Sequence, residues 1–326
     1  MIDYIKFITK VNPSEYELNP LLDFRQAYST KTGEIDTYKY ATSGGFTFKL
    51  YDSGLLIISG SIHKYFNFLN KIAAPNQITP KEIEQGYNGN DFSFHSLLNS
   101  LEIFAANYKL NLIHCIIQNI EIGLNITHLY DTEQILNGLL LHKGKIFSRP
   151  LDNSFRILEH QRYYLKIYDK GEQYSQPTPT IRIELKYKKM FDLNQLGLNN
   201  LNDLKNESLL MELHSLLRCE FAKVLIYDYT IDKSQMNTKQ LSKIKDYSNP
   251  IFWLNTKPVH RDRNKKALIH LTSQYSNQIQ KEIIQLMINK LTSLMKSPTK
   301  RVRFNPLDKR LLITQPYKPL SKVELK

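Results

Sequence analysis

The chain has 326 residues, 41% of them hydrophobic and 11% aromatic, with 20 Tyr and 15 Phe. That composition excludes wholesale disorder and is enough for one large or two ordinary domains. The formal charge of +13, from 44 Lys+Arg against 31 Asp+Glu, favours a polyanionic partner, because cations that neutralise phosphates release condensed counterions. Cys115 and Cys219 are too few for a disulfide framework, and no CxxC or clustered Cys/His spacing suggests structural zinc, so a reducing cytoplasm is the expected compartment. Met1–Lys10 mixes Ile2, Tyr4 and Phe7 with charges instead of forming a signal-peptide block. No run reaches the roughly 18 apolar residues of a membrane span.

In chain order, Asp3–Val11 reads as a first strand and Thr37–Tyr40 is ambiguous. Phe46–Tyr51 and Leu55–Ser61, joined by Asp52-Ser53-Gly54, read as a hairpin. Ala73–Asn90 is a loop with one short helix around Pro80–Gln85. Asp91 is placed to cap a helix through Tyr108, with Phe94, Leu97, Leu98, Leu101 and Phe104 as its apolar stripe. Asp131 caps another short helix, to Leu141. Residues 143–148, 154–159, 163–170 and 180–189 read as consecutive strands, and the Gly171–Pro179 loop is stiffened by Pro177 and Pro179.

From about Asn194 the apolar spacing becomes helical, predicting helices at Glu207–Asp228, Gln235–Lys245 and Arg263–Lys296. The sum is an α+β fold, a mainly antiparallel sheet flanked by helices, followed by a helical C-terminal region. The expected divisions are an α+β catalytic domain at 1–192, a helical region for DNA binding or dimerisation at 193–297, and a basic, extended tail at 298–326.

Three strands have one apolar and one chemically loaded face, because alternate side chains of a strand point to opposite sides. In Ile116–Ile126, Ile116, Ile120, Ile122, Leu124 and Ile126 oppose Asn119, Glu121 and Asn125. In Tyr163–Lys170, Leu165 and Ile167 oppose Tyr164, Lys166, Tyr168 and Lys170. In Ile181–Lys188, Ile183 and Leu185 oppose Arg182, Glu184, Lys186 and Lys188. Each alternation alone also describes an ordinary solvated sheet face. Together, Glu121 and Glu184 are suited to a hard divalent cation, Mg²⁺ or Mn²⁺, that polarises a phosphate. Tyr168 is then a nucleophile, with Lys166 and Lys170 beside it to stabilise the phenolate. His63 reads as a third metal ligand, a phosphate contact or an ordinary loop histidine. Lys64, Arg182 and Lys186 are expected at the DNA backbone. Asn88-Gly89-Asn90-Asp91 reads as a turn and helix cap, and Trp253 as packing.

At these residues the chain resembles the gene II/X-type replication initiators of filamentous phages and related rolling-circle plasmids. The resemblance covers roughly residues 46–230: an SG-containing strand at Leu55–Asn67, the Asn119-Ile120-Glu121-Ile122-Gly123 strand, the Tyr164–Gly171 strand ending in Tyr and Lys, and Ile181–Lys186 followed by Leu196-Gly197-Leu198. It implies a nickase- or relaxase-like fold and site-specific nicking and joining at a replication origin, single-stranded or hairpin. It also implies a 5′-phosphotyrosine on Tyr168, metal at Glu121 and Glu184, and a host helicase or a second copy as further partners. Two departures stand out: the commoner acid at the Glu121 position is Asp, usually preceded by Arg, and no His-hydrophobe-His pair is present. The competing reading is a non-catalytic DNA-binding replication or copy-control protein, and a water-using metal nuclease is a third.

Overall fold

Hydrogen bonding organises the chain around one nine-stranded antiparallel sheet, whose strands lie side by side in the order 25–28, 35–43, 46–51, 55–61, 2–10, 116–127, 180–187, 163–169 and 155–159. This computed structural model describes residues 1–28, 33–149 and 154–296, so the expected tail at 298–326 lies outside the described residues. The first half supplies β1 (Ile2–Lys10), α1 (Pro13–Tyr16), β2 (Arg25–Tyr28), β3 (Ile35–Ser43), β4 (Phe46–Tyr51) and β5 (Leu55–Ser61). Then come α2 (Ile62–Leu69), α3 (Pro80–Glu84), α4 (Phe94–Asn107) and β6 (Ile116–Thr127). The β4–β5 hairpin forms as its sequence predicts, with Gly54 at φ +76° in a turn where a Cβ would meet the Val11 carbonyl oxygen at 2.5 Å.

After β6 follow α5 (Thr132–Asn137), β7 (Leu139–His142), β8 (Lys145–Ile146), β9 (Phe155–Glu159), β10 (Tyr163–Asp169), α6 (Lys170–Gln173) and β11 (Thr180–Tyr187). The last part holds α7 (Phe191–Gln195), α8 (Glu207–Ala222), β12 (Val224–Ile226), α9 (Thr238–Tyr247), α10 (Pro250–Asn255), α11 (Pro258–Tyr275) and α12 (Ile279–Met295). Residues Met1–Lys296 form one unit. The α+β class with a helical C-terminal region is therefore what the chain adopts.

The sheet has two unlike faces. Ile120, Ile122, Ile183, Leu185 and Leu165 are fully buried, and the helices α8 and α12 cover this apolar face at β6 and β11. Toward β4, Phe104 of α4 meets Phe7 and Phe46, with ring centroids 6.1 and 4.6 Å apart. The opposite face carries the charged residues and stays open as a cleft.

Several boundaries differ from the sequence reading for identifiable reasons. The helix expected to Asp228 stops at Ala222, because Val224–Ile226 pairs with β7 in a second, three-stranded sheet. For the same reason the helix capped by Asp131 ends at Asn137, not Leu141. The expected Arg263–Lys296 helix is two helices, broken at Ser276–Gln278. Gln278 is left-handed there (φ 55°), and the Asp228 carboxylate accepts the Ile279 N–H at 2.9 Å. Ser93, not Asp91, caps α4 through the Ser96 N–H, while Asp91 pairs with Lys290 at 2.7 Å. Ile116 is 43% exposed and Ile117 takes its core position, because a bulge lies between the Lys6–Asn119 and Phe7–Ile117 pairs. Trp253 is packing: it is fully buried and donates its Nε1–H to the Tyr247 carbonyl. Among the described residues no helix is long and apolar enough to cross a membrane.

Candidate functional site

The charged face is built on the three adjacent strands β6, β11 and β10. Their registers set Glu121 opposite Lys186, Gly123 opposite Glu184, and Glu184 opposite Lys166. Arg182 lies opposite Tyr168. Glu121, Lys166, Tyr168, Arg182, Glu184 and Lys186 thus come together on one face. Tyr168, Lys166, Glu121 and Glu184 line a cleft of about 480 Å³ whose far wall is Gly44, Gly45, Gly60 and Ser61.

A fourth strand adds a residue that the sequence reading passed over. In β1, Ile2 pairs with Ile122 and Ile5 with Ile120, so Asp3 and Tyr4 together oppose the single residue Glu121. That bulge turns Asp3 out of the apolar row of Ile5 and Phe7 and into the acidic face. Asp3, Glu121 and Glu184 are all buried, and one carboxylate oxygen from each lies within 4.8 Å of the others. Such a set of oxygen donors fits a hard divalent cation.

Each acid is also bonded to a cation of the chain. Lys166 Nζ bridges Glu121 Oε1 at 3.0 Å and Glu184 Oε1 at 2.7 Å, and Lys186 Nζ reaches Glu121 Oε1 at 2.9 Å. Arg182 donates from Nε to Glu184 at 2.6 Å, from one terminal nitrogen to Asn125 Oδ1 at 2.8 Å, and from the other to Asp3 at 2.9 Å. It is 2% exposed. Arg182, expected at the DNA backbone, therefore serves as an internal clamp between two acids.

Burial alone would raise all three carboxylates. Against it, Lys166 and Arg182 hold Glu184 down at about 2. Asp3 is likewise held below the usual carboxylate range, by Arg182, His63, Lys170 and the Ser61 hydroxyl. Glu121 moves the other way, raised by burial and by the neighbouring Glu184 charge. As pH falls, Glu121 is the first of the trio to take a proton. Tyr168 donates its phenol O–H to Glu184 Oε2 at 3.3 Å, and burial with the Glu184 charge raises its pKa well above that of a free tyrosine.

The remaining expected residues sit at the margins. Lys170 begins α6 and does not extend β10. Its ammonium, 1% exposed, donates to Asn88 Oδ1 at 2.7 Å and Gln173 Oε1 at 3.0 Å, and burial and Arg182 lower its pKa to about 7. Lys64 bonds the Gln85 carbonyl at 2.8 Å. His63 is buried, stacks on Phe92 at 4.7 Å and is lowered to about 3 by burial. Asn90 Oδ1 already accepts from Asn67, so the 2.8 Å contact to His63 makes Nε2 a donor. His63 lies outside the acidic trio. The expected turn at Asn88 is instead buried site structure, since Asn88 bonds Asp3, Lys170 and Tyr174.

Gly123 makes room for all of this. A Cβ there would lie 2.9 Å from Glu184 Cβ and 3.1 Å from an Arg182 terminal nitrogen. Gly123→Ala is expected to cost about 1–3 kcal/mol by overpacking and to weaken divalent-cation binding, as read by urea denaturation and Mn²⁺ titration. A variant as stable as the parent would show that the Arg182 clamp is loose.

No family model matches the sequence. No curated protein matches it either. Among solved structures, the chain is similar to the rolling circle replication initiator protein from Geobacillus stearothermophilus. The TM-score is 0.37 and the identity 8%, over 76% of this chain and 96% of that chain. What the cleft does rests on its own side chains.

Proposed function

We propose that the protein nicks and rejoins one strand of DNA through Tyr168, as a rolling-circle replication initiator does, with Mg²⁺ or Mn²⁺ held by Asp3, Glu121 and Glu184. The observation that supports this reading is the shared cleft: a phenol bonded to Glu184 opens onto the same space as three clustered carboxylates. Nothing else among the described residues offers a nucleophile beside a set of metal donors.

In this reaction the Tyr168 Oη–P bond forms as the P–O3′ bond breaks. The phenol proton passes to Glu184 Oε2, and the departing O3′ takes a proton from water, leaving a 5′-phosphotyrosine and a free 3′-OH. A bound divalent cation would polarise the phosphate and offset charge developing on it. Lys166, held protonated by Glu184 and Glu121, turns toward the phosphate as it arrives. Its departure from Glu184 makes that carboxylate a better proton acceptor. Lys170, 5.4 Å from the Tyr168 ring centroid, favours the phenolate when charged. Arg182 acts through Asp3 and Glu184 as a positioning residue, and the more exposed Lys64 and Lys186 contact backbone phosphates.

The test is covalent capture. Full-length protein is incubated with Mn²⁺ and labelled single-stranded oligonucleotides carrying hairpins, then denatured. A label that stays on the protein, and is absent when the metal is chelated, supports the proposal.

One observation favours a second reading, a non-catalytic DNA binder. Every acid is already neutralised by a cation of the chain, and the phenol is held protonated. DNA that is retained natively but released by salt or denaturant, with no adduct, selects this reading. Lys166→Met separates the two further. It removes the competitor for Glu121 and Glu184, so Mn²⁺ affinity is expected to rise roughly ten-fold while nicking falls. Unchanged calorimetric Mn²⁺ binding would mean that the metal is not held there.

A further inference from the structure

On the apolar side of the sheet, under β6, the helices α8 and α12 flank a cavity of about 230 Å³ that is open to solvent on one side. His214 of α8 lines it, is 2% exposed, and has no partner for either ring nitrogen. A buried imidazole with both nitrogens unsatisfied is unfavourable unless something else bonds it. Burial lowers its pKa to about 3, so the ring is neutral, with one donor and one acceptor. Arg218, one turn along α8, lines the same cavity. Its guanidinium makes no ion pair with a described residue, and its contact there is a 3.4 Å approach to Ser215 Oγ. No described acid lines the space, and the rest of the wall is largely apolar, with Leu124, Met287 and Leu291.

We infer that this cavity is a binding site for a small monocarboxylate with an apolar ring or short chain, its carboxylate on Arg218 and His214 and its body against Leu124 and Met287. Size sets the class. A cavity of about 150 Å³ holds benzene, so 230 Å³ takes a ring or chain plus one carboxylate but not a nucleotide. Charge sets the sign: the unpaired guanidinium repels a metal ion that the methionines lining the cavity, Met211 and Met287, would otherwise suit. The neutral imidazole can donate one hydrogen bond to the carboxylate, which ends its isolation. The site is independent of the nicking chemistry, since the sheet separates Leu124 from Glu121 on the other face of β6.

The experiment uses the full-length chain with benzoate as probe and benzyl alcohol, which keeps the ring and drops the charge, as control. Saturable benzoate binding is expected, tighter than that of the alcohol by roughly ten-fold, with the His214 ring ¹⁵N resonances shifting on titration. Arg218→Met, at a half-buried position, is expected to erase the preference for the acid. His214→Leu is expected to raise the melting temperature of the ligand-free protein while weakening benzoate at least about ten-fold. Equal binding of acid and alcohol overturns the inference. So does an absence of benzoate binding up to about 10 mM, or ¹⁵N shifts that show His214 bonded to water alone.

Discussion

Tyr168→Phe is expected to abolish the denaturation-resistant DNA adduct and to lower nicking by roughly 10⁴-fold or more, the scale on which loss of a nucleophile acts. The substitution deletes one oxygen and keeps the ring, which packs on Phe155 at 5.3 Å between centroids, so the fold is not at stake. The hydrogen bond it removes runs to Glu184, whose oxygens keep Lys166 and Arg182. Stability should therefore change by less than about 1 kcal/mol, and Mn²⁺ binding should persist. That combination separates a nucleophile from a structural tyrosine. Residual metal-dependent cleavage without an adduct would assign the cut to water, and an adduct that survives the substitution would place the nucleophile elsewhere.

Arg182→Met should unfold the protein more readily, by about 3–5 kcal/mol at neutral pH, because it leaves two buried carboxylates short of their counter-ion. The pH dependence carries the diagnosis. In the parent, Asp3 and Glu184 titrate below their unfolded values, Glu184 at about 2. Their contribution to stability is thus complete above the ordinary carboxylate range and is lost as pH falls toward 2. Glu121, raised by burial and Glu184, contributes with the opposite sign. Without Arg182 the burial of Asp3 loses its strongest opponent and Glu184 keeps only Lys166, so both pKa values rise. The variant should gain stability as pH falls from 7 to 5, where the parent changes little. Urea midpoints at the two pH values check this. A loss under about 1 kcal/mol, or a variant whose stability changes no more than the parent's between pH 7 and 5, would mean that Arg182 is not the clamp.

The loaded face of β6, β10 and β11 was readable because the three strands alternate without interruption from Glu121 to Asn125, Tyr163 to Asp169 and Ile181 to Tyr187. Apolar partners mark one side and charges the other. Asp3 was hidden by that same rule. Counting back in twos from Phe7 and Ile5 puts it on the apolar face, and only a bulge, a property of pairing with β6, reverses it. The Ile116 and Ile117 exchange has the same origin at the other end of the pair. Asn88 and Ser61 belong to the site through tertiary contacts to Asp3 that no local pattern announces. Leu139–His142 and Val224–Ile226 are short apolar runs that fit a helix end or a strand equally well, and only their mutual pairing decides. His214 falls within the apolar stripe of α8, which gives no hint of a cavity beside it.

The acidic trio draws on β1, β6 and β11, neighbours in space whose acids stand at positions 3, 121 and 184 of the chain. Contacts of such long sequence separation close late in folding. A polypeptide cut short before β11 would carry Asp3, Glu121 and Tyr168 but lack Glu184, the acid to which the phenol is bonded. Under the proposed function, the full set of metal donors beside Tyr168 is assembled only when the last of these three strands has joined the sheet.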